Sequence, residues 1–205
     1  MQLPGTLLMF IRSLKIFRSL AATVRHGNSS GSAFACMLLL VVLTTGAASR
    51  ASALPPLHLT QVTDQVYVAV GATGPPSYEN AGHNNNLSII IASTGVVVVN
   101  GGDNYQLAAR LHQAIKLLTP LPVVWVITEN GQGHAFLGNS YWRDQGVKII
   151  AHGLAVDEIR KHGTQSLQQM IVRNRDKSVG TYVAEPDIAF EQRYGLEVGT
   201  TRIEL

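Results

Sequence analysis

An α/β domain opening on an antiparallel or mixed sheet is predicted for residues 54–205, and three observations predict it. Strand-like runs come first, as two pairs, and only then do helical and strand patterns alternate. Two of those runs, Leu87-Ser-Ile-Ile-Ile-Ala92 and Val96-Val-Val-Val99, are apolar enough to be covered on both faces. The stretch from 54 onward can bury one sizeable core but is too short for two domains.

In chain order, residues 59–62 and 66–70 read as strands around a turn at Thr63-Asp64-Gln65. Residues 71–86, rich in Gly, Pro and Asn, form a loop. The runs at 87–92 and 96–99 make a hairpin across Ser93-Thr94-Gly95. Asn100-Gly101-Gly102-Asp103 then leaves the sheet and opens a helix capped by Asp103 or Asn104. Its stripe is Leu107, Leu111, Ile115 and Leu118, and Pro120 stops it. A buried strand follows at 123–127, then a loop at 128–134 and a short helix through Tyr141 and Trp142 that ends at Gly146. Residues 147–151 are a strand, 156–161 a helical turn and 166–177 a polar helix. The chain closes with strands at 190–194 and 196–198, and turns at Gly199-Thr200 into 202–205. That last strand is cut by the terminus without a cap or a polar tail, so the domain is expected to be incomplete at its C-terminal end.

Charge divides the chain. The total is 16 basic against 13 acidic groups, a formal +3. Arg12, Lys15, Arg18, Arg25 and Arg50 all lie in residues 1–53, which hold no acid, so the remainder is mildly acidic. The basicity therefore belongs to the leader, and nucleic acid is excluded as a partner. A basic flank, an apolar run over residues 33–48 and the small-residue end Ala51-Ser52-Ala53 are the parts of a signal peptide. The apolar run is shorter than the roughly 20 residues of a bilayer span. Cleavage is expected after Ala53, with export to a bacterial periplasm; the alternative is an uncleaved N-terminal membrane anchor, the leader then being the sole contact with a membrane. Cys36, the single cysteine, also lies in the leader. Any metal in the exported part must be held by His, Asp or Glu.

The loop after the 123–127 strand reads T-E-N-G-Q-G-H-A-F-L-G-N, residues 128–139. A strand, a short loop with a His, then Leu-Gly-Asn entering a helix resembles the metal-binding corner of the metallo-β-lactamase-fold hydrolases, which carry T-H-x-H-x-D-H-x-x-G-N there. The resemblance extends over about residues 57–205. It takes in Val62-Thr-Asp-Gln-Val-Tyr67, Asn86, the Val97 to Gly102 step, Ala151-His152 and the terminal Gly-Thr-Thr-Arg-Ile-Glu-Leu. It implies a metallo-β-lactamase-like αββα sandwich, of which this chain would hold the N-terminal half to two-thirds. It also implies zinc, and metal-activated hydrolysis of an ester, amide or thioester-type bond.

Placed on that motif, Glu129 stands where the first His belongs, Gly131 where the second belongs and Gly133 where the Asp belongs; His134 is retained. Asn100 stands in place of the Asp that follows the preceding strand. A hydrolytic zinc site needs about three protein ligands and one open position. The resemblance makes His134 a metal ligand, and Glu129 a ligand or a catalytic general base, in an incomplete set. The plainer readings are a His134 hydrogen-bonded within the corner and a solvated Glu129. His83 could rim a pocket, His112 faces solvent beside the apolar stripe, and His152 is a strand-end structural residue. Two further readings use the same fold. One is a metal-free periplasmic binding or accessory protein, in which Gly131 and Gly133 open a pocket for a small-molecule ligand. The other is a non-functional fragment, its strands at 96–99 and 123–127 poorly covered.

Overall fold

The computed structural model describes Leu54 and residues 57–205, all within the unit Ala48–Leu205. The expected signal peptide, its cleavage point and Cys36 lie outside the described residues.

Seven strands form one sheet in sequential order: β1 (Leu59–Gln61), β2 (Val66–Ala69), β3 (Leu87–Ile91), β4 (Val96–Val99), β5 (Val123–Thr128), β6 (Lys148–His152) and β7 (Ile188–Phe190). The first four are joined by short turns or the 71–86 loop and pair antiparallel. From β4 onward each connection carries a helix and the pairing is parallel, as crossover connections require. The sheet is therefore mixed, as the order of patterns predicts.

Helix α1 (Tyr105–Leu118) begins at Asn104, whose side-chain oxygen accepts from the Leu107 amide at 2.9 Å. Such a cap contributes about 1 kcal/mol. Leu107, Leu111 and Ile115 of its stripe are buried, whereas Leu118 turns outward. With Tyr141 and Trp142 of α3 (Asn139–Asp144), α1 covers one sheet face: Leu87, Ile89, Val96, Val98, Val126 and Ile149. The other face, with Val97, Ile127 and Ile150, is covered by a two-stranded sheet of β8 (Gly195–Val198) and β9 (Thr201–Glu204) through Leu196 and Val198. The expectation that 96–99 and 123–127 lie poorly covered fails in part: Val96, Val97, Val98 and Val126 are fully buried. Val124 and Trp125 remain half-exposed.

Two segments differ from the sequence reading. The helical turn at 156–161 and the polar helix at 166–177 are one helix, α4 (Gly153–Asn174), followed by a 3-10 turn over Arg175–Ser178. Gly163 lies between those two stretches and is buried inside the helix, where its bare backbone lets Val183 approach. The strand expected at 190–194 lies earlier, because Asp187 exchanges backbone and side-chain hydrogen bonds with Ile149 and brings residues 188–190 alongside β6. Among the described residues no helix is long and apolar enough to cross a membrane.

Candidate functional site

The loops leaving β4 and β5 meet because those strands are parallel neighbours, with Val99 opposite Ile127. Backbone contact locks them together. The Gly101 amide donates to the Ala135 carbonyl, the Gly138 amide to the Gly102 carbonyl, and the Trp142 indole N–H to the Gly101 carbonyl. A Cβ on Gly138 would lie 2.1 Å from the Gly101 oxygen. The Gly-Gly step and the Leu-Gly-Asn step of the sequence are thus two sides of one contact.

Asn100 follows β4 in the left-handed region, φ 69°, which Asn tolerates better than most residues. Its amide nitrogen donates to Glu129 Oε2 at 2.8 Å, and its amide oxygen accepts from the Glu129 backbone N–H at 3.2 Å. The two residues that depart from the motif at adjacent strand ends therefore satisfy one another.

The rest of the loop lies under α4. The Gly131 amide donates to Glu158 Oε2 at 3.1 Å, and a Cβ at 131 would sit 2.3 Å from the Glu158 Cβ and 3.2 Å from the Ala155 carbonyl oxygen. Gly131 borders a groove along α4, but the helix occupies the space that a side chain there would take. Gly133 is different. Its nearest neighbours are the ends of Leu137 and Ser166 at 3.1 and 3.7 Å, and it borders two connected hollows. The outer is a groove of about 660 Å³ between residues 131–133 and α4, with Leu154, Asp157, Glu158, Lys161 and His162 along it. The inner is a recess of about 120 Å³ walled by Asp103, His134, Ser166, Gln169 and Arg173. Gly133 and Ser166 border both.

His134 begins the short helix α2 (Gly133–Phe136) and is half-buried in the recess, without a hydrogen bond to another described residue. The hydrogen bond expected to hold it in the corner is not formed. Burial lowers its pKa, Glu129 raises it and Arg173 lowers it, so the ring is neutral at pH 7. Beside it Asp103, expected as a possible helix cap, is 2% exposed and receives Arg173 Nη2 at 2.6 Å on both carboxylate oxygens. Asn174 Nδ2 adds a bond at 2.8 Å. Burial pushes the Asp103 carboxyl up to about 6, with Arg173, Asn174 and Asn104 pulling it down. A raised acid favours folding in its protonated form, so this group's contribution falls as pH rises from 3.8 to about 6. The stability of the wild type relative to Asp103→Asn is expected to drop by about 3 kcal/mol across that window and then level off. Urea melts at pH 4 and pH 7 check it; a difference independent of pH contradicts it.

Two of the other histidines are structural. His112, expected to face solvent, lies 2.8 Å by Nδ1 from the Tyr141 hydroxyl and packs on Trp142. His152 caps α4, accepting from the Leu154 amide, and reaches the Glu191 carbonyl, in keeping with its strand-end reading. His83 is half-buried in the 71–86 loop and borders neither hollow. Sequence reasoning missed Arg173, Ser166 and Gln169, which reach the site from a helix that the pattern had divided.

No family model matches the chain. Solved structures do. A metallo-β-lactamase from Pontibacter korlensis superposes with a TM-score of 0.55 at 16% identity, over 72% of this chain and 59% of that one. The DIM-1 metallo-β-lactamase exposed to ceftazidime gives 0.51 at 9%, over 71% and 57%. TMB-1 gives 0.51 at 11%, over 70% and 56%. The fold is the metallo-β-lactamase fold. The chain spans 56–59% of the length of these three structures.

A metallo-β-lactamase fold implies a metal, and the donors at this corner do not fit one. Glu129 is held by the Asn100 amide, Asp103 by Arg173 and Asn174, and positions 131 and 133 carry no side chain. His134 and Glu129 Oε1 are the donors that remain, fewer than the three or so that a hydrolytic zinc site needs. Among the described residues no group of three or more His, Cys, Asp or Glu is arranged to hold a metal ion.

Proposed function

We propose that this chain is an exported, metal-free small-molecule-binding protein built on the metallo-β-lactamase fold. The observation that carries this reading is the mutual pairing of Asn100 and Glu129, which gives the carboxylate at the first ligand position a neutral partner from the neighbouring strand end. Among the described residues no third His, Cys, Asp or Glu joins Glu129 and His134, and a hydrolytic zinc site needs about three protein ligands. The connected groove and recess beside it supply the concavity that ligand binding needs, with a few polar groups converging at one end. Metal-activated hydrolysis, the activity implied by the fold resemblance, has no complete ligand set among the described residues. Export rests on the basic, apolar and small-residue leader.

The test is a thermal-shift screen of the full-length chain with and without chelator. The melting temperature is expected to be indifferent to chelator and to rise with organic ligands. A midpoint that falls on chelation and returns with zinc contradicts the proposal.

A further inference from the structure

We propose that the inner recess is an oxyanion site, in which Arg173, His134, Ser166 and Gln169 receive the carboxylate or phosphate head of an organic anion whose body lies in the outer groove. The proposal rests on the metal-free binding reading and names its ligand class.

Arg173 supplies the fixed positive charge. Its Nη2 is spent on Asp103 and its Nε on Asn174 Oδ1 at 3.0 Å, while Nη1 has no bond to another described residue. The guanidinium is held by two acceptors, Arg173 lines the recess, and a guanidinium is the group best suited to oxyanion recognition. Beside the apolar Pro76 and Leu137, the recess is lined by neutral groups able to donate: the imidazole of His134, the hydroxyl of Ser166 and the amide of Gln169. Asp103, the one carboxylate in the recess wall, is 2% exposed and has both oxygens on Arg173. About 120 Å³ suits a carboxylate or phosphate group rather than a whole metabolite. The larger groove continues from the recess across Gly133 and Ser166, where exposed Leu154 offers apolar surface. The outer groove carries Asp157 and Glu158 against the single cation Lys161, a balance that is negative, so the charged end of an organic anion is directed inward.

Isotope-labelled full-length protein is titrated with benzoate, acetate and inorganic phosphate, and with benzamide as the uncharged control, reading the Arg173 Nε–H and His134 ring signals. Benzoate is expected to shift both signals and to bind more tightly than acetate; phosphate against acetate separates the two head groups. Gln169 is exposed, so Gln169→Glu leaves the fold intact while placing a negative charge in the recess, and it is expected to weaken benzoate about tenfold. No response to any anion, or equal affinity in Gln169→Glu, overturns the site. Benzamide binding as well as benzoate, with the variant indifferent, overturns the oxyanion assignment and leaves the binding reading standing. Stoichiometric zinc that shifts the His134 signals reversibly with chelator overturns both.

Discussion

Asp103→Ala is expected to lower the melting temperature by roughly 10 °C at neutral pH, the largest effect of any single substitution at the site. The pair that it breaks joins the loop after β4 to the end of α4, 70 residues away, through two contacts of 2.6 Å. Burial raises the Asp103 pKa, so its attraction to Arg173 does not cover the cost of taking the carboxylate out of water. The pair is therefore a weak source of net stability but a costly one to halve. Deletion leaves the Arg173 guanidinium, 23% exposed, facing a cavity. A loss of about 3–5 kcal/mol follows. The double variant Asp103→Asn/Arg173→Gln is expected to recover at least half of it, because stranded charge rather than lost packing causes the damage. A double variant as unstable as Asp103→Ala contradicts that origin.

The second large effect concerns an attempt to restore the metal motif. Gly131→His is expected to cost about 3 kcal/mol or more and to gain no zinc. The added Cβ meets the Glu158 Cβ at 2.3 Å and the Ala155 carbonyl at 3.2 Å, so α4 itself must move. Gly133→Asp meets the flexible end of Leu137 at 3.1 Å and is expected to cost about 1 kcal/mol or less. Two glycines at equivalent places in the motif thus predict opposite outcomes. Chemical melts of both variants decide it, and equal stabilities contradict the account.

That contrast marks how far the sequence is legible. Strand order, the α1 stripe and the mixed sheet follow from local periodicity, because one buried face imposes a period of two or of 3.6 on its own residues. The αββα character was legible only through the spread of motif fragments, and structures at 9–16% identity share that fold. What the sequence hides is pairing at a distance. Asn100 and Glu129 each look like a lost ligand, and only the parallel β4–β5 register reveals that they replace one another. A signal for this existed, since both departures fall at the C-terminal ends of neighbouring strands. Arg173 gave none. Gly163 and the polar run after it obscure a helix whose buried Ile159 and Met170 lie on either side of that glycine. The reading of Gly131 as open space holds only in part, since it borders the groove while Ala155 and Glu158 of that helix fill the place of a side chain.

Closure of this corner to metal, as proposed, is tested most directly by elemental analysis of the full-length chain, purified without chelator and dialysed against zinc-free buffer. Far less than one zinc per chain is expected, unchanged in His134→Ala. One or two tightly held zinc ions per chain, lost in His134→Ala, would contradict it.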